Sequence, residues 1–104
     1  LTYRKDYSPM EDKFIAAWQK NREKALALGI RMRPIEPERA VRTAQYLLSG
    51  NRSSDGFDAL ARKGALNLSL EALAVDPRFT ALFTDDQATA ALTRLLEAGY
   101  FGIS

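Results

Sequence analysis

The sequence predicts an all-α protein: a compact bundle of about five to six helices, two long and several short, behind an extended N-terminal arm. Three observations carry this. Apolar residues recur three and four apart through most of the chain, the spacing of one helix face. Helix-start signals, a Ser, Thr or Asp followed by Pro or by Glu/Gln three residues on, recur at Ser8, Asp76 and Thr84, Ser69 offers a further N-cap, and Gly29, Gly50, Gly64 and Gly99 stand where helices would stop. No two alternating runs are joined by a tight turn, so nothing signals a hairpin. The 104 residues are 46% hydrophobic and 27% charged, which suits one ordinary domain. A chain of this size buries roughly 60–70% of its unfolded surface, enough for a core without disulfide or metal.

Residues 1–8 read as an arm, with Tyr3 and Tyr7 alternating with charges and no means of building a core alone; residues 9–104 read as a single helical domain. Ser8-Pro9-Met10-Glu11 combines an N-cap, a proline at the first helical position and a capping-box acid. It opens a helix over Pro9–Leu28 that Gly29 stops. Met10, Phe14, Ala17, Trp18, Ala25 and Leu28 mark its apolar stripe, interrupted by the polar run Gln19–Lys24. Residues 29–37 hold two prolines and read as an ordered, extended connector. Pro37 starts a second helix, to Leu48, with Ala40, Val41, Ala44, Leu47 and Leu48 inward.

After the polar loop 51–56, a short third helix is expected over Asp55–Lys63 with Phe57, Leu60 and Ala61 inward. Leu66 to Leu70 alternates like a strand, but a lone strand has no partner, so Ser69 is read as the cap of a fourth helix, Leu70–Val75. Asp76-Pro77 opens a fifth, Pro77–Phe83. Thr84 and Gln87 form a capping box, and Asp85 and Asp86 place negative charge at the positive end of the dipole. The last helix then runs over Asp85–Ala98 with Ala88, Ala91, Leu92, Leu95 and Leu96 on its inner face. Tyr100, Phe101 and Ile103 form an apolar tail.

The chain has no His and no Cys. That removes the commonest base near neutral pH, the commonest transition-metal ligand, thiol catalysis and structural zinc. No cofactor or metal is expected, and no enzyme activity. No run approaches the roughly 20 apolar residues of a membrane span, and the lack of Cys fits a cytoplasmic location. The net charge of +2 is unevenly spread. Residues 1–52 carry 11 Lys/Arg against 6 Asp/Glu, and residues 53–104 carry 4 against 7. A basic front half suits an anionic partner or a protein contact.

Four patterns compete as sites. Asn51, Ser53, Asp55 and Gly56 match the start of a calcium-binding EF-hand loop, but Arg62 stands where the bidentate Glu belongs, so the stretch reads as an ordinary loop. Ala61–Val75 has a helix-turn-helix rhythm, yet its second helix offers Leu70, Glu71, Ala72 and Leu73, which repel phosphate and favour burial. Asp85-Asp86 needs no role beyond the dipole. The serious candidate is basic: Lys20, Arg22 and Lys24 at the end of the first helix, Arg31 and Arg33 on one side of the connector, and Arg39 and Arg42 on the second helix. With Trp18, Tyr3 and Tyr7 these form the expected partner-binding set. The expected role is a non-enzymatic accessory or regulatory subunit acting by protein–protein contact in a hetero- or homo-oligomer. Non-specific nucleic-acid binding through the same cations is the alternative, weakened by the scarcity of interleaved aromatics for base stacking.

Overall fold

Pro9 opens α1 (Pro9–Ala27) in the computed structural model, which describes residues 9–50 and 52–100. The arm with Tyr3 and Tyr7, the cap Ser8, and the tail residues Phe101 and Ile103 lie outside the described residues. Four further α-helices follow: α2 (Ala40–Ser49), α3 (Phe57–Arg62), α4 (Leu70–Ala74) and α5 (Asp85–Glu97). Short 3-10 turns at Pro37–Arg39, Leu66–Leu68 and Thr80–Leu82 join them, and no strand occurs among the described residues. The protein is all-α.

Phe14 is the centre of the larger core cluster. It is fully buried, and its ring lies 5.6 Å from Trp18, 5.5 Å from Phe79 and 5.6 Å from Phe83, the last two edge-on. Offset and edge-on pairs of this kind exploit the ring quadrupoles. Ala40, Ala44 and Leu48, spaced four apart on α2, and Leu70, Leu73 and Ala74 on α4 close the cluster from the other sides. A second cluster gathers Ala25, Ile30, Phe57, Leu60, Leu66, Leu68 and Leu95, and Val75 packs against both.

Helix ends follow their residues. At Gly29 (φ 84°) the Ile30 amide donates to the Ala25 carbonyl at 2.9 Å and that of Gly29 to Leu26 at 2.9 Å, a Schellman stop. The same pair of bonds ends α3 at Gly64 and α5 at Gly99. Ser69 Oγ accepts from Ala72 N–H as the cap of α4, and the Thr84–Gln87 capping box is complete on α5.

Three expectations need correction. Pro77–Phe83 is no α-helix: Asp76 Oδ1 accepts from the Arg78 amide at 2.9 Å, a turn follows, and only Thr80–Leu82 coils, as a 3-10 turn. The Asp76 side chain closes on the backbone two residues ahead and competes with a helical ladder. The Arg78 guanidinium beside that carboxyl holds it below its ordinary value. The inner face of α5 is narrower than its pattern: Ala91 and Leu95 are buried, Ala88 is half-buried, and Leu92 and Leu96 are exposed. Leu28 is likewise exposed, whereas Ile15, absent from the expected stripe, is buried.

Candidate functional site

The connector after α1, Ile30 to Glu36, has no regular secondary structure, and its first four side chains alternate inward and outward. Extended backbone alternates its side chains: Ile30 is buried and Met32 half-buried, while Arg31 and Arg33 are exposed. Two contacts pin it. Arg22, four residues after Trp18 on α1, donates from Nε to the carbonyls of Met32 and Arg33, both at 3.1 Å. From the other side the Arg33 amide donates to Asp55 Oδ2 at 3.3 Å, and the Arg33 guanidinium pairs with the same oxygen at 3.3 Å.

Between connector, α1, α2 and the loop before α3 lies a cleft of about 180 Å³. Trp18, Ala40 and Leu70, all buried, form its floor. Met32, Ile35 and Leu47 are half-buried walls, and Arg33, Pro34, Glu36, Thr43 and Asp55 are exposed at the rim. Among the described residues the Trp18 indole N–H is buried without a hydrogen-bond partner, an uncommon state for a buried donor.

The loop wall is hung on a buried charge. Glu71 on α4 is 0% exposed and accepts from the Ser54 amide at 2.9 Å, the Ser54 hydroxyl at 2.6 Å and Arg94 Nη1 at 3.1 Å. Arg94, on α5, also donates from Nη2 to the Gly50 carbonyl at 2.7 Å. A buried carboxylate is tolerable only when paired and hydrogen-bonded. This one is both, and in being so it fixes Ser54 in the cleft wall with Asp55 beside it.

The structure thus brings Trp18, Arg22 and Arg33 to one place. Arg39 stands near them and pairs with Glu36 at 3.8 Å, both side chains largely exposed. Arg42 borders a different, more open hollow with Glu11, Ile15, Pro37, Glu38, Val41 and Gln45. Lys20, Lys24 and Arg31 are exposed and form no ion pair among the described residues. Tyr3 and Tyr7 lie outside the described residues. The second helix of the helix-turn-helix rhythm is buried through Leu70, Glu71, Leu73 and Ala74 and cannot enter a groove. Asp55, first read as part of a calcium-like loop, instead holds the connector. Among the described residues no three His, Cys, Asp or Glu side chains gather to hold a metal ion, and no helix is long and apolar enough to cross a membrane.

Sequence reasoning missed Ser54, Glu71 and Arg94 as site-forming residues. A signal existed for Glu71, a lone acid inside the apolar run 70–75, but nothing local names its partners seventeen and twenty-three residues away. No protein-family model, no curated protein and no solved structure matches the chain.

Proposed function

We propose that this protein is a small non-enzymatic accessory or regulatory subunit that acts by binding another protein, with the cleft over Trp18 and its basic connector as the contact surface. The observation that supports this best is the cleft itself: an apolar floor of buried Trp18, Ala40 and Leu70 beneath an exposed rim that includes Arg33. Concave apolar sites with a few polar groups at the edge are where partners anchor side chains. The cations Lys20, Lys24 and Arg31, which have no internal anion among the described residues, favour an anionic surface opposite. The same cations also suit phosphates, which keeps nucleic acid as the second reading. Against it, Arg22, Arg33 and Arg39 already have internal partners.

The test is a photo-crosslinking residue at exposed Thr43 and, as control, at exposed Asp58. A partner captured at position 43 only, and then bound in purified form with an affinity that Thr43→Phe reduces at least about tenfold, is the expected result. Equal capture at both positions, or retention on DNA that drops steeply with salt in place of any protein capture, defeats the proposal.

A further inference from the structure

We infer that residues 31–34 of the connector are a flap that opens away from the loop 54–57 while the rest of the fold stays intact, and so gates the cleft over Trp18. The opening is a property of the fold and needs no partner; its use in admitting one rests on the protein-binding reading above.

The flap has firm roots. Ile30 is buried, and its amide donates to the Ala25 carbonyl at 2.9 Å in the stop of α1. Ile35 packs against the larger core cluster, and Pro37 just beyond it begins the turn that leads into α2. Between these roots every polar fastening of the backbone falls on Met32 and Arg33. Their carbonyls share the single Nε–H of Arg22, each at 3.1 Å, and the Arg33 amide and guanidinium share one oxygen of Asp55, each at 3.3 Å. The Arg33 and Asp55 side chains are 87% and 44% exposed, so this pair is weak and screened by salt. The amides of Arg31 and Met32 make no hydrogen bond among the described residues, and Pro34 has none to offer. The Met32 side chain, half-buried beside Gly56, is the flap's main apolar contact. A segment held by so few buried contacts opens at a lower free energy than the core around it.

The loop on the other side stays in place. Ser54 is fastened to buried Glu71 through both its amide and its hydroxyl, and its carbonyl accepts from the amide of buried Phe57 at 3.1 Å. The parting line therefore runs between Arg33 and Asp55. Both residues line the cleft, as do Met32 and Pro34, so parting there widens the mouth and draws a wall back from Trp18.

Two measurements on the full chain test this. The first is native-state hydrogen exchange of the Arg33 amide, with the amide of fully buried Ala91 in α5 as reference. The dependence of exchange on urea reports the surface exposed in the opening. Arg33 is expected to exchange almost independently of low urea, and Ala91 to follow global unfolding. Gly64→Ala, which strains a left-handed backbone away from the flap, should speed Ala91 about fivefold or more and leave Arg33 unchanged, because the open and closed forms lose the same stability. Arg22→Met, which acts on the closed form, should speed Arg33 about fivefold. The second is acrylamide quenching of Trp18, the only tryptophan of the chain. Arg22→Met combined with Asp55→Ala releases both fastenings and should raise the quenching constant at least about twofold with the helical circular dichroism unchanged.

An Arg33 amide that shows the urea slope of Ala91, or that Gly64→Ala speeds equally, overturns the inference, because the connector then leaves only when the whole fold does. So does a double variant that loses its helices, or one that keeps them with Trp18 as protected as before. The two proposals fail separately. Local opening with no partner captured at position 43 leaves the flap standing and removes the protein-binding reading, whereas capture at position 43 with an Arg33 amide that exchanges only on global unfolding does the reverse.

Discussion

Arg94→Met is the most informative perturbation of this fold. The Arg94 side chain is 11% exposed and the Glu71 side chain 0% exposed, with 3.1 Å between Nη1 and Oε2. At an effective dielectric constant near 20, unit charges at that separation attract by about 5 kcal/mol. Most of that only repays desolvation, so the intact pair adds little net stability; removing one partner is different, because it strands the other charge, and costs about 3–5 kcal/mol. The Gly50 carbonyl loses its 2.7 Å donor as well. A domain of this size holds only about 5–15 kcal/mol in total, so Arg94→Met should lose a large share of its stability. Glu71→Gln supplies the control. An amide can keep its oxygen toward the Ser54 N–H and Arg94 while its NH2 donates to the Ser54 hydroxyl, so few orphan groups remain, and the one charge left is that of Arg94, which is less deeply buried than Glu71 and keeps the Gly50 carbonyl. In the Glu71→Gln background, Arg94→Met should cost only about 1 kcal/mol, giving a coupling of about 2 kcal/mol or more. Urea unfolding followed by Trp18 fluorescence reads all four corners of the cycle, with the midpoint as the measure at constant slope. If Arg94→Met costs the same in both backgrounds within about 0.5 kcal/mol, the buried pair does not act as described.

Gly56 (φ 74°) and Gly64 (φ 68°) share a left-handed backbone, and alanine there costs about 1–2 kcal/mol at either site. A Cβ at Gly56 would also sit 3.1 Å from Ile30 Cγ2 and 3.2 Å from Met32 Cγ, against open space at Gly64. Gly56→Ala should therefore lower the thermal midpoint further than Gly64→Ala and alter Trp18 emission by shifting the connector; equal midpoints would show that the connector gives way freely. Asp76 has its carboxyl held below 3.8 by Arg78, so it binds fewer protons folded than unfolded. Its contribution is present above pH 3.8 and is lost as acid titrates it below that value. Asp76→Asn should flatten that acid limb of the stability curve and leave the neutral region's slope unchanged. Phe14→Ala, which removes the ring common to three aromatic contacts, should cost about 3–5 kcal/mol by urea denaturation; a loss below about 1 kcal/mol would mean that the cluster refills the space.

The parts of the fold that were legible in sequence are those whose physics is short-ranged. A Schellman stop needs a glycine and one apolar residue after it, and Gly29, Gly64 and Gly99 each supply it within a few positions. Thr84 and Gln87 satisfy each other across three residues. Pro77–Phe83 misled because Asp followed by Pro opens an α-helix or a turn equally well. What decided between them is the closure of the Asp76 side chain onto the Arg78 amide. Leu92 and Leu96 carry the helical period of Ala91 and Leu95 but sit one position further round α5, about 100° away, and α4 and α2 cover only the narrower stripe. The basic residues of the connector could be found as exposed cations, but the cleft behind them draws on α1, α2, α4 and the loop 54–55, and no local pattern encodes such a meeting.

Ser54 and Asp55 show why the core and the cleft are one problem. These neighbours form a two-residue bracket. Ser54 is fastened inward, amide and hydroxyl both on Glu71, and Asp55 is fastened outward, on the amide and guanidinium of Arg33. The inward half is buried and charge-assisted; the outward half is an exposed pair of the kind worth at most about 1 kcal/mol. Strength is therefore graded from the core to the connector, so the Arg33 end yields before the Glu71 end when something pushes into the cleft. A buried ion pair adds little to net stability, and an apolar pair of equal volume would leave the Ser54 amide and hydroxyl without their acceptor. The charge at Glu71 makes sense as a device for holding a polar loop against an apolar core, and the cleft over Trp18 has its fourth wall because that loop is held.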